Sequence, residues 1–317
     1  MGELGKPANI FTALVLVIFA LTPIVAPALD ESFYVIVFAR FMIWGIAAVS
    51  LNLIMGYGGL ISFGHAVYLG IGAYTVGILA FHGVTSAWIQ WPLAIGVSGL
   101  VALVFGAISL RTKGVYFIMI TLALAQMIYF LSVSAERYGS DDGLSILARS
   151  EFGVSFFSLN DKTTMYYTIF VFLLASVFVS WRLVNSRFGT VMRAAKSNDT
   201  RVQSIGVGTY RYRLTAFVIA GMMCGIAGLL QANLESFVSP DMMSWHRSGE
   251  LIFMVVLGGM STLFGPVTGA FVFLMLSEIL AGLTIHWHII FGPFLVLVVI
   301  FARGGIAGLL TRRADRD

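Results

Sequence analysis

Five side chains carry polar or ionisable chemistry into otherwise apolar runs of this chain: Arg40, Asn52, His65, Gln126 and Glu278. In such surroundings an imidazole or carboxylate can relay a proton, an amide can hold a polar solute, and an arginine can pair with an anion. His65 follows Ser62-Phe63-Gly64 and has no second histidine near it in an apolar run. A hydrogen bond that fixes the segment therefore suits it better than a proton relay. Arg40 stands close enough to the start of its run to snorkel outward along its own stem, and Glu278 is a candidate partner for it.

The chemistry of soluble enzymes is absent by pattern. There is no G-x-x-x-x-G-K-[ST] phosphate loop, no H-E-x-x-H zinc site and no G-x-S-x-G nucleophile elbow. The single cysteine, Cys224, lies in an apolar run, which leaves no disulfide framework or cysteine metal cluster. His286 and His288 flank Trp287, and an interfacial position accounts for them better than a metal does. No catalytic, cofactor-binding or metal-ligating set is expected.

The elements that must position these groups are membrane spans. Of the 317 residues 59% are hydrophobic and 11% charged, and the mean hydropathy is +0.93. A water-soluble core cannot hide that much apolar surface. A crossing helix needs about 20 apolar residues, which places spans near 10–29, 33–55, 59–81, 91–110, 115–134, 164–184, 214–234 and 288–302, with an interrupted region at 249–283. The first run follows Lys6, lacks a small-residue cleavage site and reads as a span rather than a cleaved signal. The expected fold is all-α and polytopic, with about eight to ten transmembrane helices, some broken by glycine, in one domain over 1–317.

Lys and Arg in short loops stay on the cytoplasmic side. With both termini inside, Lys6, Arg182 and the segments 111–114, 185–213 and 303–317 hold fourteen of the nineteen basic residues. Arg137, Arg149, Lys162 and Arg247 then lie outside. The segments 185–213 and 135–163 become the main cytoplasmic and external loops. By parity, 249–283 must leave and return to the outer side, and Gly258, Gly259, Gly265 and Pro266 suit the reversal. Two short helices meeting at a break and two short full spans both fit.

The stretch 52–77 contains seven glycines, although glycine costs a helix about 1 kcal/mol relative to alanine. Gly56, Gly58 and Gly59 permit a tight reversal. Ala66/Gly70 and Ala73/Gly77 repeat small residues four apart, which lets a neighbouring backbone come close. Two glycine-interrupted regions, one in each half, also match a recurrent way of lining a solute path. Asn52, Gly56, Gly59, Ser62, His65 and Gly259 are the candidate path residues.

One basic segment remains, Phe188 to Arg213. A helix is expected over about Thr190–Ser204, stopping at Gly206. Val191, Ala194, Ala195, Val202 and Ile205 supply its apolar surface, with Arg193, Lys196, Asp199 and Arg201 interleaved. A helix resting on anionic lipid and a docking helix for a cytoplasmic partner are both consistent with this pattern.

Three long motifs carry a resemblance: NLIMGYGGLISFGHAVYLGIGAYT, GTVMRAAKSNDTRVQSIGVGTYRYRLTAFVIAGMMCGIAGLL and SPDMMSWHRSGELIFMVVLGGMSTLFGPVTGA. In order and spacing, from roughly Phe38 to Gly308, the chain resembles the LivM-type permease subunits of branched-chain amino-acid ABC importers. The resemblance implies a homologous LivH-type permease partner, two cytoplasmic ATPases that bind ATP and Mg, and a periplasmic solute-binding protein. It implies a bacterial inner-membrane location, no cofactor in this chain and no nucleic-acid partner. It also makes 190–206 the coupling helix, with Arg193, Asn198, Asp199 and Gly206 at matching positions. The chain departs from the family at Tyr138-Gly139-Ser140 and Asp141-Asp142-Gly143, where Thr-Gly-Gly and Ser/Ala-Asn-Gly are usual, so urea, amides, aromatic acids and other small carboxylates stand beside branched-chain amino acids as solutes. The competing mechanism is an ion-gradient-coupled secondary transporter of a small polar solute, which would need carboxylates in its spans, where only Glu278 stands.

Overall fold

The computed structural model describes residues 7–28, 33–153 and 158–284, and beyond them 286, 289, 291–293, 296, 297, 304–306 and 308. Lys6, His288, most of the expected last span and the basic tail lie outside the described residues.

The helices follow the apolar runs. They are α1 (Pro7–Ala28), α2 (Phe33–Asn52), α3 (Ala66–Phe81), α4 (Ala87–Ser109), α5 (Val115–Val133), α6 (Lys162–Val184), α7 (Arg187–Ser197), α8 (Asp199–Ser204), α9 (Thr209–Glu235), α10 (Trp245–Gly258) and α11 (Gly265–Leu283). A π-helical turn, Leu53–Tyr57, continues α2. Six segments among the described residues are long and apolar enough to cross a membrane, and the shorter apolar helices Thr12–Val25 and Ala66–Phe81 accompany them. The chain is an all-α polytopic membrane protein.

The middle of the bundle is α2 and α9, buried round most of their surface, whereas few positions of α5 are buried. Small residues allow that burial. Gly72 of α3 meets the Gly225 carbonyl of α9, and Gly228 of α9 meets the Leu69 carbonyl of α3, so neither position has room for a side chain. This contact uses the 69/72 face of α3. Of the small residues with the expected spacing, Ala73 borders this approach beside Gly228, whereas Ala66, Gly70 and Gly77 receive Ser248, Met243 and Val238.

The two ends differ in charge. One, here called the basic end, gathers 111–114 and 185–213, joined by Lys113 Nζ and Asp199 Oδ2 at 2.9 Å. The opposite end is assembled from 82–86, 134–153, 158–161 and 236–244. There Leu144–Ser145 pairs antiparallel with Phe237–Val238, and Arg149 Nη1 donates to the Leu159 carbonyl at 3.0 Å. Near this end Arg40 pairs with Glu235 at 3.2 Å. Its partner is therefore not Glu278, because α9 ends beside α2 and brings Glu235 within reach. Glu278 is exposed on α11.

Candidate functional site

The glycine-broken regions expected in the two halves meet. Asn52, at the end of α2, donates from Nδ2 to the Thr262 carbonyl at 2.8 Å and accepts at Oδ1 from the Ser261 amide at 3.1 Å. A single amide thus satisfies a donor and an acceptor in the reversal between α10 and α11, where irregular backbone would otherwise lack partners. Ser261 Oγ donates to the Gly56 carbonyl at 2.6 Å. Gly56 must be glycine for this approach, since a Cβ there would stand 2.8 Å from the Ser261 nitrogen. At Gly259 the chain turns at φ +114°, a conformation that L side chains rarely adopt.

The helices on either side of the break run about 21 Å and 28 Å at 1.5 Å per residue, and the reversal lies at the basic end, against α7. The α10–α11 pair is itself closely packed: a Cβ on Gly258 would strike the Gly265 carbonyl, and one on Gly269 the Met254 carbonyl.

At the basic end the expected single helix over Thr190–Ser204 is two helices. Asn198 takes an extended conformation, φ −154° and ψ 97°, and its Oδ1 accepts from the Arg201 amide at 3.0 Å. It therefore ends α7 and caps α8, because asparagine offers the backbone a side-chain partner outside the helix. Met192, Ala195 and Val202 are buried, where α7 and α8 pack on α6, α9 and the π-helical turn. Ile205 stays 74% exposed. Gly206 follows at φ +87°.

The family described as "Branched-chain amino acid transport system / permease component" matches residues 33–310, a span that takes in both broken regions and the whole α7–α8 unit. The chain belongs to this permease family. It is 27% identical over 287 residues to "High-affinity branched-chain amino acid transport system permease protein LivM" of Salmonella typhimurium and to its counterpart of Escherichia coli, covering 84% of this chain and 68% of each relative. It is also 25% identical over 252 residues to an "Autoinducer 2 import system permease protein LsrC" of Escherichia coli, covering 76% of this chain and 65% of that one. No solved structure matches. The molecule is a LivM-type transport component of the inner membrane, the permease subunit of an ABC importer.

Within the permease the sequence-predicted residues fall into two groups. Arg193 donates from Nη2 to the Val184 carbonyl at 3.3 Å and pins α7 to the end of α6. Asp199 is turned inward: beyond Lys113, its Oδ1 accepts from Thr209 Oγ1 at 2.8 Å and lies 3.5 Å from Arg213 Nη2. Asn52, Gly56 and Gly259 belong to the crossing, and Gly59 borders it. Ser62 and His65 are buried behind it. His65 Nε2 is hydrogen-bonded to Ser50 Oγ at 2.8 Å, which fastens the start of α3 to α2. Among the described residues no three His, Cys, Asp or Glu side chains converge as a metal site.

Ser261 does not stand out in the sequence, and Lys196 does so only as one of the charges interleaved along the expected 190–204 helix. Lys196 Nζ donates to the Gly56 carbonyl at 2.5 Å and to Ser261 Oγ at 3.1 Å. The available signal was positional: Lys196, itself exposed, lies one turn after the buried Met192, at the edge of the face of α7 that packs inward. Nothing local marks Ser261, whose role exists only through its distant partners.

Asp199 makes a pH prediction. Partial burial opposes its ionisation, but hydrogen bonds from Lys113 and Thr209 and the Arg213 charge outweigh that and hold its carboxyl below its usual value of 3.8. A depressed folded pKa stabilises above the unfolded value and loses that contribution as pH falls through the folded value. Protection of residues 187–206 from amide exchange, corrected for intrinsic rates, is expected to be full at neutral pH and to fall below about pH 3.8. Asp199→Asn should lower protection at pH 7 several-fold and remove this acid dependence; an unchanged acid dependence in the variant would refute the assignment.

Proposed function

We propose that this permease forms a heterodimer with a LivH-type homologue and imports a branched-chain amino acid or a related small solute by alternating access. Its basic end, with both termini, faces the cytoplasm. The chain performs no enzymatic step. Two partner ATPases hold ATP and Mg and seat the α7–α8 unit, while a periplasmic binding protein delivers solute to the opposite end, where Leu147 is fully exposed.

One observation carries the docking reading. A helix resting on lipid commits its apolar face to acyl chains, but Met192, Ala195 and Val202 are already buried within the protein. What remains outward is Ile205 among mostly polar and basic residues, including Arg193, Lys196, Thr200, Arg201 and Gln203, a small apolar knob in a polar setting that suits a cleft in another protein. Held firmly to the bundle, such a unit can pass a rocking movement to α9 and to the crossing.

Ile205→Asp is expected to reduce recovery of ATPase subunits with the chain, purified from native membrane, by at least tenfold, with the permease itself still folded. Recovery at the level of the unaltered chain would show that docking lies elsewhere. If no ATPase accompanies even the unaltered chain, the importer mechanism fails, and gradient-driven uptake becomes the mechanism to test.

A further inference from the structure

We infer that Lys196 is a positioning residue that links movement of the α7–α8 unit to the crossing of the two glycine-broken segments. The inference rests on the docking reading above and names the residue through which that docking acts.

The Gly56 carbonyl follows from the way α2 ends. Carbonyls in the last turn of a helix lack intrahelical donors. In the π-helical turn the Met55 and Ile54 carbonyls take the amides of Gly59 and Leu60, while the Gly56 carbonyl receives Ser261 Oγ and Lys196 Nζ. The ammonium thereby touches both broken regions from a third element, the last turn of α7. Among the described residues it has no ion-pair partner, so the bonds that place it are those to the crossing. The stem is located as well: Gly59 has φ +70°, and a Cβ there would lie 2.9 Å from Lys196 Cγ. Asn52 already ties the reversal to α2. A displacement of α7 must therefore carry the crossing with it or break the ammonium's bonds to Gly56 and Ser261, and either event makes the crossing responsive to the docked unit.

Reconstitution of the complete importer in lipid tests this. Lys196→Met keeps the length of the stem and removes the ammonium; Lys196→Arg restores a cation and donors. The Met variant is expected to recover ATPase subunits as the unaltered chain does and to keep its melting midpoint within a few degrees. Its solute uptake should fall at least tenfold, and the ATP hydrolysed per solute moved should rise by a similar factor. Lys196→Arg should recover part of the coupling, and Ser261→Ala, which removes one acceptor, should raise the ATP-to-solute ratio in the same direction. A merely structural lysine would change yield and melting midpoint and leave that ratio alone. Uptake and ratio within twofold of the unaltered importer in both Lys196→Met and Ser261→Ala would overturn the inference while leaving the docking reading intact. Failure of the unaltered chain to recover any ATPase would defeat the docking reading itself.

Discussion

Gly228→Ala is expected to cost most of the folded permease, while Gly96→Ala is expected to be neutral or slightly stabilising. Both positions lie inside long helices, where alanine is the better helix former by about 1 kcal/mol. Only their neighbours differ. A Cβ at Gly228 would sit on the Leu69 carbonyl oxygen of α3, with the Ala73 nitrogen 3.0 Å away, whereas one at Gly96 meets nothing within 4 Å. The atoms in the way at Gly228 are backbone and cannot swing aside, so α3 and α9 must separate by on the order of 1 Å. Overpacking of this kind costs about 1–3 kcal/mol and more where the neighbour is rigid. Here it also loosens the burial of α9, the helix on which α2, α3 and α4 pack. Monodisperse yield after extraction and melting midpoint, measured for the pair, check this. Equal behaviour of the two variants would mean that the α3–α9 approach is not the contact that holds the bundle.

Asn52→Leu is the second large effect. It leaves the Ser261 amide and the Thr262 carbonyl, both only part-buried, without their side-chain partner, and the cost for each lies toward the low end of the roughly 1–3 kcal/mol of a fully buried unsatisfied group. The reversal also loses its direct tie to α2. The expected result is a fall of several degrees in melting midpoint together with at least a tenfold loss of reconstituted uptake. Asn52→Asp should behave differently: the carboxylate can still accept from Ser261 but cannot donate to Thr262, so it should retain part of the stability. If Asn52→Leu transports normally, the crossing is a packing contact with no bearing on the solute path.

These effects show why some residues could be read from the chain and others could not. The apolar runs were legible because the transfer of about 20 residues into hydrocarbon is a sum of local contributions, and α4, α5, α6 and α9 lie close to the expected spans. Glycine and proline at 258–266 announced a reversal for an equally local reason, since each restricts or frees its own backbone. The family, too, was carried by motifs in order along the chain.

Tertiary structure decided the pairings. Asn52 finds Ser261 at a separation of 209 residues, and no local propensity encodes that distance. Arg40 takes Glu235 rather than Glu278 because of where α9 ends relative to α2, and Lys196 acquires its role only when α7 is folded against the π-helical turn. The break at Asn198 lies between these cases: its residue type hinted at a cap, but the inward hold on Asp199 by Lys113, Thr209 and Arg213 accompanies the break and depends on three other segments. Hydropathy and backbone preference are properties of neighbours in sequence, so they determined where this protein crosses the membrane and where it turns. Which polar group answers which orphaned carbonyl or amide depends on neighbours in space, and that only the packed bundle decided.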